Sequence, residues 1–251
     1  MKASVVLNST TAKRLIAQGV AAHPIVVKAM GEGTVIVTLG TTNGYVASEL
    51  LGAPIDQGAF AAGVIDDRWN INARLGEATD LVLKNGAQVP FDEQSVLSSL
   101  TAGDVVIKGG NALDPFGTVG VLLAAATGGT VGRYVPTAIA RGVDIVIPIS
   151  LAKSIHTPIG ELTQQLGSRK IELPMGLACG MYPLTGHVVT EIEALELLFE
   201  VHATHVCSNG IGTGQGSISL LLEGGDDQVR AAFEHIKQLA QLPVIPVEGR
   251  R

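Results

Sequence analysis

Aromatic side chains are scarce in this sequence: Phe, Tyr and Trp together make up 4% of its 251 residues. Charge is sparse too, with Asp, Glu, Lys and Arg at 16% and a formal net charge of -6. The basic excess that a nucleic-acid-binding surface needs is missing, so nucleic acid is not an expected partner. Cysteine is limited to Cys179 and Cys207, which excludes a disulfide framework and fits a reducing compartment, the cytoplasm. Long apolar runs are also missing. Val119 to Ala126 is too short to cross a bilayer and stops at Thr127-Gly128-Gly129, so no membrane is expected as a partner. The opening MKASVVLNSTTAKR turns polar and basic too early for a secretory signal.

What fills the chain instead is Ala, Val, Leu, Ile and Gly, with hydrophobic residues at 46%. Buried parallel strands packed against helices have this composition, and disorder does not. The pattern along the chain agrees. Thr10 or Thr11 can cap a helix expected through Ala12 to about Ala22, and a second is expected from Pro24 to near Gly31. Thr34 to Leu39, Asp104 to Ile107, Val119 to Ala124 and Asp144 to Ile149 read as buried strands. Helices are expected over 44–51, 91–100 and from Gly132 to Arg141. Asn85-Gly86, between LVLK and AQV, signals a tight hairpin turn inside an antiparallel insert of about 58–90. Such alternation predicts a mostly parallel sheet with helices on both faces, over residues 1–175. Beyond Gly176 the order is helix 190–201, strand 204–208, a glycine loop, strand 217–222, helix 226–239 and a last strand near Val244. That order predicts a smaller α+β unit of ferredoxin-like type over 176–251.

Three glycine loops follow expected strands. Gly40-Thr41-Thr42-Asn43 leads straight into a helix, where free backbone N–H groups favour an anion; Thr and Asn there are also ordinary caps. Lys108-Gly109-Gly110-Asn111 combines close backbone approach with a point charge, and Asp114 supplies a carboxylate three residues on. The alternative for that stretch is a plain turn started by Asp114-Pro115. Thr127-Gly128-Gly129-Thr130 precedes a helix bearing Arg133, a bidentate anion binder by nature. Loops that follow parallel strands collect along one sheet edge, where ligands bind. The expected partner is therefore a small anionic metabolite, with no cofactor and no metal. Gly210-Ile211-Gly212-Thr213-Gly214 approaches a dinucleotide pattern but lacks the strand–helix–strand context. The spacing of His202, His205 and Cys207 is no zinc signature. Cys179 is expected to be structural, His187 being the only base near it in sequence. Glu191, Glu193 and Glu196 suit the start of a helix.

The turn Gly40-Thr41-Thr42-Asn43-Gly44 and the stretch Ile107-Lys108-Gly109-Gly110-Asn111-Ala112-Leu113 resemble the ribose-5-phosphate isomerase type. That type lies within the larger group of sugar-phosphate isomerases, coenzyme A transferases and related regulators. Asp104 to Ala152 also resembles methylthioribose-phosphate isomerase and its initiation-factor relatives, and the likeness spans roughly residues 10 to 150. It implies an enzyme on a small phosphorylated or carboxylated metabolite, an isomerase first and a transferase second. Asp114 would be the base, Lys108 the electrostatic stabiliser of an enediolate and Asn111 a polar contact. Gly40–Asn43 and Thr127–Arg133 would hold the anion. The glutamate that the isomerases carry soon after these glycines is absent, and Asp114 is the nearest acid. The competing expectation is a ligand sensor or scaffold using the same pocket. Residues Gly186 to Leu239 are similar to the shell-protein fold of bacterial microcompartments, which implies assembly through the C-terminal unit. The apolar composition likewise predicts a homo-oligomer.

Overall fold

The computed structural model describes residues 1–65 and 76–243. The chain opens with strand β1 (Lys2–Leu7), then α1 (Ser9–Ala22), α2 (Pro24–Glu32), β2 (Thr34–Val37), α3 (Thr41–Leu51) and α4 (Gln57–Phe60). Next come β3 (Leu81–Lys84), β4 (Ala87–Val89), α5 (Glu93–Ser99), β5 (Val105–Ile107), β6 (Ala112–Leu113) and β7 (Val119–Leu123). Helix α6 (Gly129–Arg141), β8 (Asp144–Pro148), a 3₁₀ turn Leu151–Lys153 and α7 (Ile159–Gln165) follow. The last described elements are β9 (Gly180–Leu184), β10 (His187–Val189), α8 (Glu191–Phe199), β11 (His202–Ser208), β12 (Ile218–Glu223) and α9 (Asp226–Gln241).

The fold is α/β, as the composition predicts. Its main sheet has six strands in the order β10-β8-β5-β2-β3-β4. The first four are parallel, and the β3–β4 hairpin adds an antiparallel edge. Val35, Ile36 and Val37 of β2, Val105, Val106 and Ile107 of β5, and Val146 and Ile147 of β8 have no solvent exposure. Helices covering a parallel sheet require such runs to be apolar on both faces, and β-branched residues fit the pleat. Helices α1, α2, α3 and α6 pack on this sheet. The hairpin turn is as expected: Asn85 (φ 48°) and Gly86 (φ 76°) both take left-handed backbone, the pair of conformations that a two-residue turn of matching twist needs. Residues 66–75 of the expected insert and the strand expected near Val244 lie outside the described residues.

Two smaller antiparallel sheets complete the architecture. In β1-β12-β11, the first strand comes from the opposite end of the chain, with Val5 opposite Leu220. Helices α8 and α9 pack beside it, and Gly19 of α1 lies against Ala194 of α8. The other sheet is β6-β7-β9. Here one expectation is corrected: Val119–Leu123 does not lie in the parallel sheet but pairs antiparallel with both neighbours. Too few residues separate β5 from β7 for the crossover that a parallel neighbour requires. The chain folds back through β6 instead. No helix among the described residues is long and apolar enough to cross a membrane.

Candidate functional site

Strand β2 runs out at a junction where the amides of Thr38, Leu39 and Gly40 are all paired. Thr38 N–H donates to Ile107 O (3.1 Å), Gly40 N–H to Phe60 O (2.9 Å) and Leu39 N–H to Asp80 Oδ1 (3.0 Å). Helix α3 starts at once, and its first internal bond is Gly44 N–H to Gly40 O (2.9 Å). The amides of Thr41, Thr42 and Asn43 are therefore the leading donors of the helix, and no side chain caps them. Asn43 ties the ends of two parallel strands together: Nδ2 donates to Thr38 O (2.8 Å), Thr38 Oγ1 (3.2 Å) and Ile107 O (3.3 Å). Its Oδ1 and the Thr42 hydroxyl are buried without a partner among the described residues. Most buried polar groups are satisfied, so two orphans in adjacent residues mark a place where a partner is due.

The neighbouring strand β5 ends beside them. Lys108 N–H still donates to Val146 O of β8 (2.9 Å), and the Lys108 ammonium donates to Gly109 O (2.7 Å). A Cβ on Gly109 would approach Asn43 Oδ1 to 3.3 Å and Pro148 O to 3.4 Å, while one on Gly110 would collide with the Val119 side chain. The need for glycine at 109 is thus close approach; its φ is not in the left-handed range. Asn111 fastens this loop to β7, accepting from Leu122 N–H at 3.0 Å. A second lysine, Lys153 on the 3₁₀ turn after β8, donates to Gly110 O (2.6 Å). The third loop supplies Gly128 (φ 80°) and Gly129 (φ 55°), consecutive left-handed residues that open α6.

These parts line one cleft of about 210 Å³, with Gly40–Asn43, Lys108–Asn111, Gly128–Thr130 and Lys153 in its wall beside Gly63 and the end of β7. The amino ends of α3 and α6 open into the same space. No Asp, Glu, His or Cys is among the described residues of the wall. Lys108 and Lys153 are both half-buried, and neither is ion-paired to a carboxylate among the described residues. Burial pulls the Lys108 ammonium down to about 8, against the opposing pull of Asp80. Lys153 also falls to about 8, through burial and then the charges of Lys13 and Lys108, with Glu191 opposing.

Three expected site residues lie elsewhere. Arg133 is taken by carboxylates, with Nη1 on Asp80 Oδ2 and Nε on Glu93 Oε2, each at 3.0 Å. Asp80 also accepts from the Tyr134 hydroxyl (2.7 Å) and is buried. The Arg133 head therefore braces the cleft from behind. Thr127 is exposed on the approach to α6 and is not in the wall. Asp114 is a turn carboxylate: Oδ1 accepts from Phe116 and Thr118 N–H (2.9 and 2.8 Å), and Oδ2 from Ile159 N–H (3.0 Å). Burial raises its pKa, but the amides of Ile159, Thr118 and Phe116 and the Thr118 hydroxyl outweigh that and hold it below the ordinary value. It is not among the described residues of the lysines' cleft wall.

Cys179 is buried, its thiol donates to Leu177 O (3.3 Å), and burial raises its pKa. That is a packed thiol, not an activated one. In β11 a register shift separates His205 from Cys207, and His205 pairs with Ser208 (2.7 Å). No group of three or more potential metal ligands comes together among the described residues. Glu193 completes a capping box with Thr190, while Glu191 is fully buried and accepts from Ser150 Oγ and Leu151 N–H. Two residues of the site escape a reading of the sequence, Lys153 and Asp80. The signal for Lys153 is its place just past a buried strand, as with Lys108. Asp80 carries no local signal, because its partners come from β2 and α6. Comparison with protein-family models, with curated proteins and with solved structures found no match to this chain.

Proposed function

We propose that the protein binds and acts on a small phosphorylated or carboxylated metabolite held in this cleft. The observation that carries the reading is a pair of half-buried lysines in one cleft wall with two helix amino ends and, among the described residues, no carboxylate. Positive charge, free amides and the orphaned Thr42 hydroxyl all favour an anion at the same place. Resemblance to the ribose-5-phosphate isomerase type makes aldose–ketose isomerisation the first activity to assay. That no carboxylate is among the described residues of the wall favours the second reading, a sensor that binds the anion and leaves it unchanged. Calorimetric titration with ribose 5-phosphate, inorganic phosphate and pyruvate tests the first point. Saturating ligand at a hundred times its Kd is expected to stabilise the fold by about 2.7 kcal/mol. Failure of all three to bind overturns the proposal. Binding with no conversion of ribose 5-phosphate to its ketose selects the sensor reading over the isomerase. Self-association belongs to the same proposal: Phe116, Leu173 and Ile211 are 79%, 94% and 92% exposed, and light scattering is expected to show more than a monomer.

A further inference from the structure

Among the described residues of its wall, the cleft has anion-binding groups but no carboxylate, imidazole or thiol with which to do acid–base or nucleophilic work. Its reactive inventory is two primary amines. Lys153 Nζ is held against Gly110 O at 2.6 Å, and Lys108 Nζ against Gly109 O at 2.7 Å, on adjacent residues of one loop. A neutral amine can keep such a donor bond through one N–H and still offer its lone pair, which an ammonium cannot.

Resting on the anion reading, we propose that Lys153 is a nucleophile that forms an imine with the carbonyl group of an anionic aldehyde, ketose or keto acid, with Lys108 as the proton donor. Lys153 is preferred of the two: it lies in the cleft wall with its Nζ on Gly110 O, and the charges of Lys13 and Lys108 both act against its protonated form, with the buried Glu191 opposing. Neighbouring positive charge and desolvation are the two ways an enzyme makes a lysine nucleophilic near neutral pH. Both act on Lys153, which is lowered to about 8. Lys108 is lowered less by neighbouring charge, since Asp80 supports its charged form.

The step balances. The Lys153 nitrogen adds to the carbonyl carbon, one amine hydrogen passes to the former carbonyl oxygen, and a carbinolamine results. The Lys108 ammonium gives its proton to that hydroxyl, which departs as water. An iminium with one N–H remains on Lys153, and Lys108 is left neutral. The cationic nitrogen then draws electrons from the adjacent carbon, in place of electrostatic stabilisation of an enediolate, and the proton released there passes to the neutral Lys108 amine. The substrate class is narrowed to anions carrying an aldehyde or ketone.

The test is reductive trapping on the full chain. Pyruvate and dihydroxyacetone phosphate are added with sodium borohydride, and the protein is mapped by peptide mass spectrometry. One adduct per chain, on Lys153, is expected. It should be suppressed by excess inorganic phosphate and absent from Lys153→Arg, while Lys84→Arg on the exposed hairpin traps as the parent does. The mapping on the parent protein stands even if a variant folds poorly. An adduct on Lys108, or adducts scattered over surface lysines, overturns the assignment. Binding of both probes by calorimetry with no trapped product also overturns it and leaves the anion reading standing. If neither probe nor phosphate binds, the anion reading itself has failed.

Discussion

The Lys108 loop and the Arg133 turn look alike in the sequence, each joining a pair of glycines to a cation at a strand end or helix start. The fold treats them in opposite ways. Among the described residues the Lys108 ammonium donates to Gly109 O and meets no carboxylate, whereas Arg133 is clasped by Asp80 and Glu93, which reach it from elsewhere in the chain. Burial makes Lys108 easier to deprotonate, with Asp80 opposing; for Arg133, burial is outweighed by Asp80, Tyr134 and Glu93, and its charge is reinforced. A motif thus nominates a cation for ligand binding, but the carboxylates that tertiary structure brings decide whether it is available. Asp80 claims Arg133 and at the same time reaches the Gly40 turn. One oxygen holds Leu39 at the entrance to the Gly40 turn, and the other holds Arg133 and Tyr134 on α6.

Removing Asp80 should break the contrast most severely. Asp80→Ala strips a buried charge from Arg133, orphans the Leu39 amide and leaves the Tyr134 hydroxyl without its acceptor. A loss of about 3–5 kcal/mol is expected, read as a lower urea midpoint. A variant within 1 kcal/mol of the parent, on the order of experimental error, would show that the clasp is not structural. Lys108→Ala sharpens the comparison from the other side. Loss of a charged donor is expected to weaken phosphate binding about tenfold, for roughly 1.5 kcal/mol, with little change in Tm. Equal weakening by Arg133→Ala, with the fold intact, would erase the distinction between the two cations.

Titration probes the same difference without mutation. Lys108 and Lys153 lose their protons near 8 in the folded chain, against 10.5 for an ordinary lysine. Between those values the unfolded chain binds more protons, so folding stability without ligand should rise with pH across this window. Anion affinity should fall over the same range as the ammonium charges disappear. Binding at pH 8 should accordingly take up protons, seen as a calorimetric heat that depends on the buffer. A flat affinity from pH 7 to 10 would mean that the lysines do not hold the anion.

How much of this was legible depends on how far away each partner lies. The buried runs TVIV and DIVIP, the Asn85-Gly86 turn and helix Asp226–Gln241 specify themselves through periodicity or backbone preference, and the structure has them all. The Gly40 and Lys108 loops follow parallel neighbours and could for that reason be placed at one edge, whereas the Thr127 loop follows β7, which pairs antiparallel in another sheet. Strand β1 could not be read, since KASVVL becomes a strand only by pairing with β12 near the far end of the sequence. The helix cap was misplaced by two or three residues: Asn8, not Thr10 or Thr11, accepts the leading amides of α1. At the site, Asp114 looked like a base because sequence shows a carboxylate beside a lysine. It does not show the three amides that claim that carboxylate.

Asp114 gives the smallest expected effect and the cleanest check on where the chemistry lies. Asp114→Asn keeps the size of the side chain and one acceptor oxygen, so the bonds from Phe116 and Thr118 N–H can survive. The new amide group would face Ile159 N–H, donor against donor, at the start of α7. Losing that single bond should cost about 1–2 kcal/mol, a fall of roughly 2–8 °C in Tm. Affinity for phosphate at neutral pH should not change, because Asp114 is not in the cleft wall. The acid limb of stability carries the sign. A carboxylate held below its ordinary 3.8 stabilises the fold above that value, and the contribution is lost as pH falls through the folded pKa. The parent should therefore lose part of its stability at the acid end of a pH series, and the Asn variant should lack that part. A variant that is as stable as the parent yet no longer binds phosphate would return Asp114 to the site and set the lysine-centred reading aside.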